Sequence, residues 1–243
     1  MTADSSLLRA LAGHRSIRRY RPEPIPPAHL AQMMAVAQRA STGGAGQLYS
    51  FVRVTDAALR RQLADLTRQA HIAEAAEFFV ACLDVHRLQR LLAHRGLAPG
   101  LSQLTLYAAT DALLALANLA SAAEALGYGI CYVGSLQRVL DEVIVLLDLP
   151  PGVCPLLGLC VGAPAETPEL SPRLPPDLVF HENRYREPAA DDLERCYAAM
   201  AAVTYGGGWF ESLQQHFTAG QEYEKRGRLW QRALQRQGLG EAS

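Results

Sequence analysis

The sequence predicts an α+β fold in which helices flank a single sheet. Three observations carry this expectation. Helical and extended patterns interleave along the chain, with helix in the majority. Two continuous apolar runs, residues 78–83 and 153–161, have the length and composition of strands buried on both faces. The 243 residues are 49% hydrophobic and 19% charged, which supports a sizeable core and argues against disorder.

Taken in order, Leu7, Leu8 and Leu11 share a helical face and Gly13 offers a stop, so a short helix is expected over residues 5–13. A cationic run, His14-Arg15-Ser16-Ile17-Arg18-Arg19-Tyr20-Arg21, leads into Pro22, Pro24, Pro26 and Pro27. Pro27 suits the first turn of a helix reaching Ala40. Residues 41–46 form a loop, and residues 49–55 are rich in strand formers. Thr55-Asp56 caps a helix running to about Arg68. Residues 101–126 make the longest helical pattern. It is apolar on almost every face despite Asp111, Asn118 and Glu124, so central burial is expected. It is also too short and too polar to span a bilayer. Gly127 serves as its left-handed cap, and residues 130–133 follow as a strand. Gly134-Ser135 opens a loop into a helix over residues 138–147. The proline-rich residues 164–176 are expected to be extended. From Pro188 onward the pattern is helical apart from Gly206-Gly207-Gly208.

Charge and cysteine usage narrow the function class. Lys and Arg total 23 against 24 Asp and Glu, a net charge of −1, which argues against nucleic acid as a partner. Low charge density suggests surface covered by another subunit. The five cysteines, Cys82, Cys131, Cys154, Cys160 and Cys196, contain no C-x-x-C pair. They read as free thiols in a reducing compartment. Residues 1–14 lack a basic stretch followed by an apolar one. A cytoplasmic protein that does not engage a membrane is expected, and no metal site is visible.

Four segments could carry chemistry. His14, Arg15, Ser16 and Arg18 offer guanidinium and hydroxyl groups for an oxyanion, or form a solvated basic loop. Ser41, Thr42, Gly43 and Gly44 allow close backbone approach to a flat ligand, or simply join helix to strand. Val133-Gly134-Ser135-Leu136-Gln137 aims free N–H groups from a strand end, or caps a helix. Ser171-Pro172-Arg173 holds an arginine on a stiff backbone, or makes a surface turn. No P-loop, Rossmann fingerprint, G-x-S-x-G elbow or H-E-x-x-H is present. His71 reads as a surface or satisfied histidine, and Trp209 and Trp230 as packing or interface residues.

The order and spacing of these segments resemble the nitroreductase superfamily, within it the group of oxygen-insensitive nitroreductase A and the NADPH–flavin oxidoreductases. The resemblance rests on His14-Arg15-Ser16-Ile17-Arg18 with Pro24-Ile25, and on Gln69-Ala70-His71 with Ala75-Ala76-Glu77-Phe78. It continues through Tyr132-Val133-Gly134, residues 156–162, Pro172-Arg173-Leu174-Pro175 and His181-Glu182-Asn183-Arg184-Tyr185. It implies a mainly antiparallel sheet flanked by helices in an intertwined homodimer. Residues 1–187 would form the FMN-binding domain, and residues 188–243 a helical extension over the active site and the partner. FMN would contact His14, Arg15, Ser16, Arg18, Ser41, Thr42, Gly43, Gly44, Gln69, Val133, Gly134, Ser135, Leu136, Gln137, Ser171 and Arg173. Three departures stand out. The 41–44 loop has fewer hydroxyls than the family's, Gln137 replaces an arginine, and Ser171 replaces a lysine. The implied activity is ping-pong hydride transfer from NADH or NADPH through FMN to nitroaromatics, quinones or free flavin, with no catalytic side chain. Another flavin reaction on the same fold, or non-catalytic flavin binding, remains the alternative.

Overall fold

A computed structural model describes residues 6–98, 104–204 and 207–240. The expected helix starts at Ser5 and Leu101, and the Tyr205-Gly206 pair, lie outside the described residues. The chain divides into two compact units. The first comprises residues up to 168 and from 229 onward, and the second residues 169–228.

The first unit opens with α1 (Ser6–Ala12) and α2 (Pro27–Ala37), followed by β1 (Tyr49–Arg53), α3 (Ala57–Thr67) and the single turn α4 (His71–Glu74). Next come β2 (Glu77–Asp84), α5 (His86–Ala93), α6 (Leu104–Ala125), β3 (Gly129–Val133), α7 (Leu140–Leu146) and β4 (Val153–Gly162). Local chemistry explains several boundaries. The Asp56 side chain accepts the Leu59 N–H at 2.8 Å and caps α3, and Arg68 closes that helix in a left-handed conformation. Gly127 takes the left-handed φ of +86° that ends α6. The helix expected from residue 138 starts at Leu140, because Gly134–Arg138 first winds as a 3-10 turn. Helices α4 and α5 were not signalled by the sequence. One is a single turn, and in the other arginines interrupt the apolar spacing.

The strands form one sheet in the order β1-β2-β4-β3, antiparallel at every pairing. Central β2 is buried along its whole length. Its alternation sends Phe78, Val80 and Cys82 to one face, against Leu63, Ile72, Leu136 and Val143. Phe79 and Ala81 point to the other face, against Leu30 and Met33 of α2 and Leu116 and Leu119 of α6. The sheet is therefore sandwiched between helical layers.

The expected all-round burial of α6 is corrected. Ala108, Asp111, Ala112, Ala115, Leu116, Leu119, Ala120 and Ala123 are buried, whereas Leu106 is 71% exposed and Tyr107 55%. One sheet face covers only one side of a helix, so the remaining apolar side stays exposed in a single chain. By length and apolarity α6 alone, among the described residues, resembles a membrane span, but its buried side is the core of this unit.

The second unit contains the 3-10 turn Pro176–Leu178, α8 (Ala190–Ala199), α9 (Trp209–Phe217) and the start of α10 (Glu222–Arg236). Trp209 packs edge-on against Tyr197 at 5.6 Å between ring centroids. Asp192 is held by Arg186 at 2.5 Å, Arg195 at 3.0 Å and the Ala189 N–H at 3.0 Å. These contacts depress its pKa to about 2.

Candidate cofactor site

The cationic run is sewn into the sheet. Ile17 N–H donates to Ile130 O at 2.8 Å, and Ser16 bridges Ile130 in parallel. Arg21 N–H donates to Ala163 O and Ala165 N–H to Arg19 O, each at 2.9 Å. The ribbon thus covers the free edge of β3 and follows the chain leaving β4. Such close approach requires glycine. A Cβ on Gly129 would lie 2.7 Å from Ile17 Cγ1, and one on Gly162 would lie 2.8 Å from Tyr20 Cδ1.

Charges on this ribbon are sorted. His14 Nδ1–H donates to Glu124 Oε1 at 2.7 Å, fixing the ribbon to the C-terminal end of α6. Glu166 Oε1 accepts the N–H groups of Arg18 at 2.6 Å and Arg19 at 3.1 Å. Arg15 Nη1 donates to Gly13 O at 2.8 Å. Among the described residues no carboxylate forms an ion pair with Arg15 or Arg18. A cavity of about 220 Å³ opens beside Arg15, Ile17, Glu124, Gly129 and Glu166.

Arg18 also faces α4 and β3. Burial lowers the pKa of His71, and the Arg18 cation lowers it further. Burial raises the pKa of the Cys131 thiol, against the opposing pull of Arg18. From Ile130, β3 carries the chain to Gly134 over about 13 Å. There Val133, Ser135 and Leu136 are buried, Gly134 is half-buried, and Gln137 Nε2 donates to Leu156 O at 3.3 Å. Gln69, half-exposed, sits just before α4 and accepts the Ile72 N–H at 3.1 Å through its carbonyl.

Three buried side-chain atoms among the described residues lack a hydrogen-bond partner: Arg15 Nε, His71 Nε2 and Ser135 Oγ. Each such group costs about 1–3 kcal/mol, so each requires an explanation. They fall in the His14–Arg18 block, the Gln69–His71 block and the Val133–Gln137 block. His71 is therefore neither a surface nor a satisfied histidine. It is 7% exposed with one nitrogen unpartnered, because α4 tucks it under the ribbon rather than leaving it in a loop.

Of the remaining candidate segments, the 41–44 loop lies apart from the ribbon within the first unit. Gly43 N–H donates to Asp111 Oδ1 at 3.0 Å, which anchors the Ser41–Gly44 loop to the N-terminal half of α6. Glu124, which holds His14, comes 13 residues later on the same helix, about 20 Å along its axis. One chain therefore does not bring the 41–44 loop to the His14–Arg18 ribbon. Ser171 and Arg173 belong to the second unit, where Arg173 Nη1 donates to Ser171 O at 3.1 Å and Pro172 O at 3.0 Å. Sequence reasoning missed Asp111, Glu124 and Glu166. The first two carried a signal, as rare polar residues in an otherwise apolar helix; Glu166 carried none. No group of three or more His, Cys, Asp or Glu side chains among the described residues could hold a metal ion.

Comparison with known proteins places this geometry in context. The model of the nitroreductase family matches residues 11–163. The chain is 40% identical over 202 residues to the oxygen-insensitive NADPH nitroreductase of Salmonella typhimurium, a match covering 83% of each chain. Its fold superposes on nitroreductase A from Vibrio parahaemolyticus with a TM-score of 0.88 and 33% identity, covering 98% of this chain and 99% of that one. It also superposes on the NADPH:FMN oxidoreductase from Vibrio harveyi complexed with NAD+, at 0.88 and 32%, covering 98% and 100%.

Proposed function

Since this chain belongs to the nitroreductase family, we propose that it is an FMN-dependent NAD(P)H oxidoreductase that reduces nitroaromatics, quinones or free flavin by ping-pong hydride transfer. The observation that carries this reading is the trio of unpartnered buried atoms in three family-matched blocks. A polar cofactor supplies the partners they lack.

The residues present fit FMN. Among the described residues the guanidinium groups of Arg15 and Arg18 pair with no carboxylate and suit a phosphate, in a ribbon held by β3. Ser135 and the backbone N–H groups of the 134–136 turn face a polar edge at the other end of that strand. When bound, FMN supplies the redox chemistry, taking a hydride from a reduced nicotinamide and passing electrons to an acceptor. The chain contributes binding, orientation and donors that stabilise negative charge on the reduced ring.

The reading extends to a homodimer in which the 41–44 loop of each chain completes its partner's site. Two features support this. The loop and the ribbon lie about 20 Å apart along α6 in one chain. The uncovered side of α6, with Leu106, Tyr107, Leu113 and Leu114, and the exposed Leu7 and Leu8 of α1 offer apolar surface that a second chain would cover. Five free thiols and small diffusible substrates fit a cytoplasmic setting.

The test is an anaerobic half-reaction. The purified protein should carry FMN, NADPH or NADH should bleach it, and a nitroaromatic or quinone should restore the colour. A flavin that nicotinamides do not reduce rapidly would overturn the proposal.

A further inference from the structure

The Ser41–Gln47 loop is exposed, yet it is among the most constrained backbone segments of the first unit. Gly44, Ala45 and Gln47 all have left-handed φ values, of 55°, 56° and 50°. Two of these are not glycine, and each such residue costs roughly 1–3 kcal/mol unless its surroundings enforce it. The enforcing groups are visible. Asp111, 2% exposed on α6, accepts the Gly43 N–H through Oδ1 and the Leu48 N–H through Oδ2, both at 3.0 Å. One buried carboxylate thus grips the loop at both ends. From the other side Arg87 of α5 donates through Nη2 to Gln47 O and, at 2.8 Å, to Tyr49 O. Arg87 is itself set by Asp84 at 3.2 Å, and Asp84 accepts the Ser50 hydroxyl at 2.5 Å.

We infer that Asp111 and Arg87 are positioning residues of the flavin site. Together they fix the 41–47 loop in its strained conformation before the cofactor arrives. This rests on the reading of that loop as the segment meeting the flavin. A carboxylate gripping N–H groups and a guanidinium gripping carbonyls leave the loop one conformation. The ordering cost is met on folding rather than on binding. Neither side chain touches the cofactor; both act through the loop.

The test compares Asp111→Asn and Arg87→Lys with Thr42→Glu, which puts a charge on the loop itself. Asn keeps the shape of Asp but cannot accept from both N–H groups. If the competent loop then falls to about a tenth of the population, the FMN dissociation constant rises about tenfold. The fluorescence and visible spectrum of bound FMN should shift while the flavin-free fold keeps its circular dichroism. The donor KM should rise more than kcat falls. Arg87→Lys, at a half-exposed position, should give the same signature more weakly and guards against failure of the Asp111 variant to fold. Unchanged FMN affinity and spectrum in both variants, with Thr42→Glu strongly weakened, would overturn the inference while leaving the flavin site in place. No effect from any of the three would overturn both.

Discussion

Substituting Ser135 by Ala should change stability in opposite directions with and without the cofactor. Ser135 is 9% exposed, and its Oγ has no partner among the described residues. In the flavin-free protein this unsatisfied hydroxyl costs about 1–3 kcal/mol, and alanine removes that cost while losing little volume. A gain of about 1 kcal/mol is expected. For a chain of this size it raises Tm by roughly 2–4 °C. In the flavin-loaded protein the hydroxyl would donate to the cofactor, and a neutral hydrogen bond contributes about 1 kcal/mol. Because the variant gains about 1 kcal/mol without FMN and loses about 1 kcal/mol with it, FMN affinity should fall by about 2 kcal/mol, roughly thirtyfold. Thermal unfolding of both forms, combined with titration of the flavin-free protein, measures the two effects separately. A variant that destabilises the flavin-free protein and leaves FMN affinity unchanged would refute the reasoning. It would mean that the hydroxyl serves the packing of the 134–138 turn.

Other expectations follow from the same chemistry. Arg173, whose guanidinium meets only backbone carbonyls among the described residues, should anchor FMN in place of the family lysine that Ser171 replaces. Arg173→Ala should weaken FMN binding roughly tenfold to a hundredfold by titration. Residues 198–216, where the family resemblance puts the cations that meet the NADPH 2′-phosphate, contain no Lys or Arg. NADH should then serve at least as well as NADPH, and a kcat/KM preference for NADPH above about tenfold would contradict this. Asp192 has its pKa depressed to about 2, chiefly by Arg186, and Asp177 is lowered by Arg195. Folded-state values below the ordinary carboxylate range mean that this stabilisation is present above about pH 4 and lost as pH falls toward 2. A carboxyl titration by NMR should show Asp192 ionised well below free aspartate and Asp177 shifted in the same direction.

Much of this molecule was legible because its strands and helices obey simple periodicities. The apolar run at 78–83 became the wholly buried centre of the sheet, and Asp56 capped α3 as its position demands. The candidate segments were legible only as a set. Arg15 or Ser135 alone has an ordinary explanation, and only burial without a partner separates the two readings. Burial was also what the sequence could not supply. His71 is indistinguishable from a surface histidine until α4 places it under Arg18. The apolar pattern of α6 does not say which side meets the sheet and which stays exposed in a single chain. Asp111 and Glu124 look alike in the sequence, yet one fixes the 41–47 loop and the other the His14–Arg18 ribbon, in opposite halves of one helix.

That separation sets the most direct measurement. Two variants are made, Arg15→Ala with Arg18→Ala in one chain, and Thr42→Glu in the other. Each homodimer should lose FMN, the first through its ribbon and the second through its loop. Co-expressed and purified as a mixed dimer, the two chains should regain a single bound FMN, half the native content, together with NAD(P)H-dependent reduction of a quinone. That site joins the intact ribbon of one chain to the intact loop of the other. A mixed dimer as empty as its parents would contradict the account, because ribbon and loop would then have to serve the same chain.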